Sequence, residues 1–421
     1  MMRSNAFHSS TLLSLAVLFS LGACDDPVAP VAPALLPLAN DASVESSATG
    51  WTIMSTPNPS TSADVLNGVH AISSGDVWAV GYKESSTGTE TLVEHLTGGA
   101  WSVTPSPNPG PSTQCGNGNV LLDVSASSAT NIWAVGYYYS CSLFKPLAIH
   151  WNGSRWKAVQ TPVPGTTGNN VINAVAATSP SDAWAVGYYE AANGAPTPLI
   201  MRFNGTSWTL MTGAQVPGST SNVLNSVAVL GPNDVWAGGT YYDPATSLIE
   251  TMIQHWNGSS WTIVPSPSPG TYFANVITQI VALSASNVWA FGYFDEDVTG
   301  RVTLIEHWNG SAWSVVPSPN ASSTYFSANE LNGAVALSAN DIWAVGHYRS
   351  DATAQQKQTL ALHWDGTAWT VTPIPSRGKA SNLTSIAQSA GTLWAVGEAS
   401  PYGNDRYTGE FIIPRTLAMT R

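Results

Sequence analysis

Four places after each tryptophan of a recurring Asp/Asn-x-Trp-Ala-x-Gly motif stand Tyr82, Tyr137, Tyr188, Thr240, Tyr293, His347 and Glu398. A phenol offers a ring face that stacks on a sugar or a peptide side chain, and a hydroxyl that donates and accepts hydrogen bonds. Brought to one place, such a set is a binding platform. In the last two copies an imidazole and a carboxylate replace the phenol. With Asp351 and Arg349 these are the groups from which a carbohydrate-active hydrolase or lyase would have to be built. Arg301, Arg349, Arg377 and Arg406, with Lys357 and Lys379, gather late in a chain of only 14 cations and suit a carboxylate or phosphate. The next place along holds Tyr138, Tyr189, Tyr241, Phe294 and Tyr348, and one of the two sets is expected to ring an opening. We take Tyr82, Tyr137, Tyr188, Tyr293, His347, Arg349 and Glu398 as ligand-binding candidates. No catalytic residue is assigned, because no nucleophile and acid stand paired at matching positions.

Five histidines also recur: His95, His150, His255, His307 and His363. A metal needs ligands converging on one point. Equivalent places in successive repeats lie apart, so these are read as structural hydrogen-bonding groups and no metal site is assigned. Asp295-Glu296-Asp297 is the one run that would suit calcium, and solvated surface acid is its commoner use. No cofactor beyond that calcium is expected.

These residues sit in a chain of 421 residues with 43% hydrophobic content, 10% charged, 36 glycines, 28 prolines and 18 tryptophans. That mix suits many short strands joined by turns. A net charge of −12 argues against nucleic acid as partner and against adhesion to an anionic membrane by charge alone. The N-terminus reads as a targeting segment. Arg3 precedes an apolar run from Thr11 to Leu21 that is too short to span a bilayer, and the run ends Leu21-Gly22-Ala23-Cys24. That ending resembles the bacterial lipobox. The resemblance implies cleavage before Cys24 and lipid on its sulfur, hence an exported protein anchored to the cell envelope by acyl chains alone. The expected organisation is a signal peptide over 1–23, a Pro/Ala/Ser-rich tether over 24–50, one folded domain over 51–413 and a tail over 414–421.

The motif tryptophans are Trp78, Trp133, Trp184, Trp236, Trp289, Trp343 and, in a weaker copy, Trp394, spaced 51 to 55 residues apart. Each is preceded by an apolar run such as Leu66-Asn67-Gly68-Val69. Some two dozen residues later comes His-Trp-Asn-Gly-Ser-x-Trp, best kept at 255–261 and 307–313, and then Val-Pro-Ser-Pro at 264–267 and 316–319. Each unit therefore holds four short strands, with Asp or Asn turning the first into the second and Asn-Gly turning the third into the fourth. Four-stranded units at this period are propeller blades. The last unit has a third strand expected at Arg406 to Ile413 and no fourth, whereas Trp51 to Pro57 is a fourth strand with no third. The expectation is an all-β, seven-bladed β-propeller with four antiparallel strands per blade, its last blade closed by the N-terminal strand. Cys115 and Cys141 then fall in two connections on one face of one blade, where an oxidising compartment favours a disulfide.

The repeat resembles β-propellers of the kelch/galactose-oxidase and Asp-box kinds. Only Gly238-Gly239 matches the kelch glycine pair, and Asp365-Gly366-Thr367-Ala368-Trp369 is one residue shorter than an Asp-box. The Trp-Ala-Val-Gly pattern is also similar to secreted bacterial propeller proteins. The face bearing the connections between second and third strands, and between units, varies most, and binding is expected there. The functional expectation is a monomeric, non-enzymatic binding or scaffold module whose partner is a glycan or envelope protein. A carbohydrate-active enzyme and a structural envelope module are the alternatives.

Overall fold

The computed structural model describes residues 50–86, 88–110, 117–297, 300–323, 327–349, 357–378, 380–400 and 414–421. Among them are 28 strands and no helix. Asp64–Ser73, Asp76–Ser85, Gly88–Thr97 and Ala100–Val103 pair antiparallel in chain order, and this set of four recurs over 117–159, 170–211, 221–263, 275–315 and 327–371. The seventh set orders Ala380–Ser389, Thr392–Ser400, Arg415–Thr420 and, from the other end of the chain, Thr52–Met54. Segment 414–421 was expected as a tail and is instead the third strand of that set. It pairs Thr52 with Thr420 on one edge and Glu398 with Thr416 on the other. Arg406 to Ile413, where that strand was expected, lies outside the described residues, as do Cys24, Cys115, Asp351 and Lys379.

Each first strand carries a bulge that follows from its sequence. In the first set the register slips between Leu66 and Gly68, and the same slip recurs in every set. The bulge presses the chain against the glycine of the second strand: a Cβ on Gly81 would lie 1.9 Å from the Val65 carbonyl, so only glycine fits. The extra residue turns its side chain toward the next set. Asn67 Nδ2 donates to the Leu121 carbonyl at 2.7 Å, and Asn173, Asn225 and Asn332 donate to the equivalent carbonyls of Leu224, Ile277 and Leu383 at 2.8 Å. Thr278 does the same to Leu331 at 2.7 Å, and Thr384 of the last set returns to Leu66 of the first at 2.8 Å. Only Leu122 of the second set breaks this series, and there Asp123 instead accepts from Val175 N–H at 2.9 Å.

Tryptophans knit neighbouring sets in the same cyclic order. Each motif indole meets the fourth-strand indole of the next set edge-on, with centroids 5.0 to 6.3 Å apart. Trp343 finds Trp51 from the N-terminal strand, and Trp394 finds Trp101 of the first set. Such pairs add about 0.5–1.5 kcal/mol each beyond the area they bury. First strands lie against first strands around the whole series, Ala380–Ser389 against Asp64–Ser73 included.

Candidate functional site

The second strands bring the candidate residues to one level. Tyr138, Tyr189, Tyr241, Phe294 and Tyr348 pack between sets against the core clusters, and of the preceding place Tyr293 packs in a small cluster with Ala274 and Val276. Tyr82, Tyr137 and Tyr188, from three consecutive sets, lie in one another's fields, with Glu398 beside Tyr82. All three are half-buried, and within the described residues their hydroxyls make no hydrogen bond. Burial pushes Tyr137 up to about 12, and burial with Glu190 and Tyr137 does the same to Tyr188. Burial, then Glu398, raises Tyr82 further. These phenols stay protonated and serve as donors.

At this place the fifth and sixth sets are ionic. Tyr293 and His347, expected to touch a ligand, are each only 2% exposed and form a floor. Arg301 lies over the Tyr293 ring at 4.2 Å, donates from Nε to Asp295 at 3.0 Å, and donates from Nη1 to Glu330 at 2.6 Å. His347 Nε2 is 3.8 Å from Glu330 Oε1, beyond hydrogen-bond reach. Burial would raise the Glu330 carboxyl, but His347, Arg301 and Lys357 hold it at about 2. Burial lowers His347 to about 3, and the cations Lys357, Arg349 and Arg301 oppose the pull of Glu330. At neutral pH the site thus has an ionised Glu330, a neutral imidazole and cations around both. Asp295 is committed to Arg301, and among the described residues no three metal-ligating side chains converge.

Glu330 was missed at the sequence level, although a signal was present. The residue before the Leu or Ile of each first strand is valine in five sets, and it pairs across to the tyrosine position, as Val65 with Tyr82. Glu330 and Asn382 break the valines in the same two sets where His347 and Glu398 break the tyrosines, and they are cross-strand partners. Three to six residues farther along the first strands is a cavity of about 270 Å³. All seven sets line it, among them His70, Asp123, Ser226, Gln279 and Ser385. Burial lowers His70 to about 4 and raises Asp123 to about 6, the latter against the N–H groups of Val175 and Val124.

The repeated histidines are structural. Each Nε2 meets the Asp or Asn that opens the second strand, at 2.7 to 3.0 Å. The rings stack on or tilt over the motif indole, as His95 on Trp78 at 3.8 Å. Cys141 is disulfide-bonded; Cys115 lies outside the described residues.

No protein-family model matches the sequence, and the search of curated proteins found no match. Solved structures do resemble it. YCF48 bound to D1 peptide superimposes with a TM-score of 0.50 at 12% identity, covering 90% of this chain and 99% of that one. The WD40 β-propeller domain of Doa1 gives 0.47 at 11% identity, with 89% and 97% covered. The Trypanosoma rangeli sialidase with the inhibitor DANA gives 0.44 at 12%, with 85% and 55% covered. At such identity the likeness carries the fold alone: an all-β chain of antiparallel sheets with β-propeller architecture.

Proposed function

We propose that the chain is a closed, seven-bladed propeller of the secreted Trp-Ala-Val-Gly repeat kind, exported through residues 1–23 and anchored by lipid on Cys24. It acts as a binding module, and its partner, an envelope protein or a glycan, meets the face at the ends of the second strands. Cys115 is the partner of Cys141 and clips two connections of that face. The observation that carries the reading is the convergence of Tyr82, Tyr137 and Tyr188, three half-buried phenols with unspent hydroxyls, opposite an ion network. An enzymatic reading finds less support here. Glu330, the buried carboxylate beside His347, is spent on Arg301.

The test is the purified full chain in detergent on peptide and glycan arrays. Specific hits that weaken at least tenfold in Tyr188→Ala support the reading; hits indifferent to Tyr188→Ala and Tyr137→Ala overturn it. For the anchor, Cys24→Ser is expected to release the exported protein from the membrane fraction, and retention there would refute lipidation.

A further inference from the structure

At the end of the second strand of the sixth set, Arg349 stands directly opposite Lys357 across the ladder. Like charges in opposed places destabilise a strand pair. The same place in the fifth set holds Asp295 opposite Arg301, joined at 3.0 Å, so the scaffold takes a complementary pair here and the sixth set departs from it. Beside the two cations, Arg349 Nε and both ring nitrogens of His347 are buried and have no hydrogen-bond partner among the described residues. A buried donor left unmade costs more than a made bond gains, and groups of this kind mark an absent water or ligand. Among the described residues, Asp295 and Glu330 offset two of the three cations Arg301, Arg349 and Lys357, which leaves one positive charge. Glu330 is ion-paired to Arg301 and makes no hydrogen bond to His347, whose Nε2 stands 3.8 Å away. One net positive charge suits a monoanion.

We propose that Arg349 and Lys357, with the buried His347 beside them, form a carboxylate subsite that receives an aspartate or glutamate side chain of a protein partner. This deepens the binding reading and rests on it. Peptide is favoured over sugar acid by the neighbouring surface. Tyr272 and Phe273, 54% and 40% exposed, sit in the connection whose Thr271 hydroxyl donates to the Glu296 carbonyl, next to Asp295. An aromatic shelf therefore adjoins the ion network, and it suits an acidic peptide with apolar neighbours.

The probe is a labelled acetyl-Phe-Glu-Asp-Phe amide, read by fluorescence anisotropy on the full chain, with the Phe-Gln-Asn-Phe counterpart and glucuronate as competitors. The acidic peptide is expected to bind at least tenfold more tightly than the amide peptide and to lose that margin in Arg349→Gln and Lys357→Gln. Lys357→Glu, which restores a complementary pair, is expected to abolish binding while raising Tm. Equal binding of both peptides that still falls in Tyr188→Ala overturns the subsite and leaves the binding face standing. Equal binding indifferent to Tyr188→Ala overturns both. Displacement of the labelled peptide by glucuronate at a lower concentration than by the unlabelled acidic peptide overturns the assignment to a protein partner, and so does absence of binding of either peptide. Unchanged affinity in Lys357→Glu overturns the role of the cations.

Discussion

Glu306 and Glu94 stand in their third strands where the fourth set has Gln254. The Gln254 amide is fully used, accepting from Ala214 N–H at 2.9 Å and donating to its carbonyl at 2.8 Å. Both carboxyl oxygens of Glu306 and of Glu94 are buried with no such partner among the described residues. Burial pushes Glu306 up to about 8, and burial with the field of Asp64 raises Glu94 as well. A carboxyl whose folded pKa is raised contributes stability that is fully present below its unfolded value, about 4.3, and lost as pH rises through the folded value. Thermal stability is therefore expected to fall between about pH 5 and pH 8 and to level off above that. Glu306→Gln, which copies Gln254, should flatten that fall and raise Tm by several degrees at pH 9 while changing little at pH 5. A calorimetric pH series checks this; a variant whose Tm tracks the parent across the range would show that Glu306 is not buried as a neutral acid. The same residue scale shows what was legible. Tyr82, Tyr137 and Tyr188 were found because phenols recur at one offset. Glu330 was not, because its partner in the pattern lies on another strand, and pairing two departures requires the register.

The bulged first strand is the element on which the site depends. It sets the glycine of the second strand, aims one side chain at the next set and fixes the level at which the tyrosines emerge. Replacing Asn225 by Leu, the residue Leu122 provides in the second set, removes one bond and leaves the Ile277 carbonyl without its donor. The expected cost is about 1–3 kcal/mol in denaturant unfolding, and an unchanged midpoint would show that the bond does not couple the sets. Gly346→Ala is the harsher change: its Cβ would lie 1.9 Å from the Glu330 carbonyl, so loss of folding is expected. Strand identity was readable from tryptophan spacing, apolar runs and Asn-Gly turns. The third strand of the last set was misplaced for a physical reason. Its residues, Thr416-Leu417-Ala418-Met419-Thr420-Arg421, match Thr359-Leu360-Ala361-Leu362-His363-Trp364 in the buried places and lose only the His-Trp pair used to recognise it. Arg421 fills part of that gap, lying over the Trp343 ring at 4.4 Å.

At the scale of the whole molecule, the two ends of the chain hold the last set together. Thr416 bonds to Asn58 at 2.9 Å and to Thr56 at 2.7 Å, Arg415 reaches the buried Asp64 at 3.0 Å, and Trp51 fills the seam against Trp343. Trp51→Ala empties a fully buried site, and about 3–5 kcal/mol of stability should go with it. The account's central claim is that the second-strand ends form the binding face, and hydrogen exchange tests it most directly. The full chain is labelled with and without its strongest array ligand. The account predicts new protection around 80–83, 135–139 and 186–190, with no change at the opposite turns, 152–155, 204–207 and 257–260. Protection confined to those turns would contradict it.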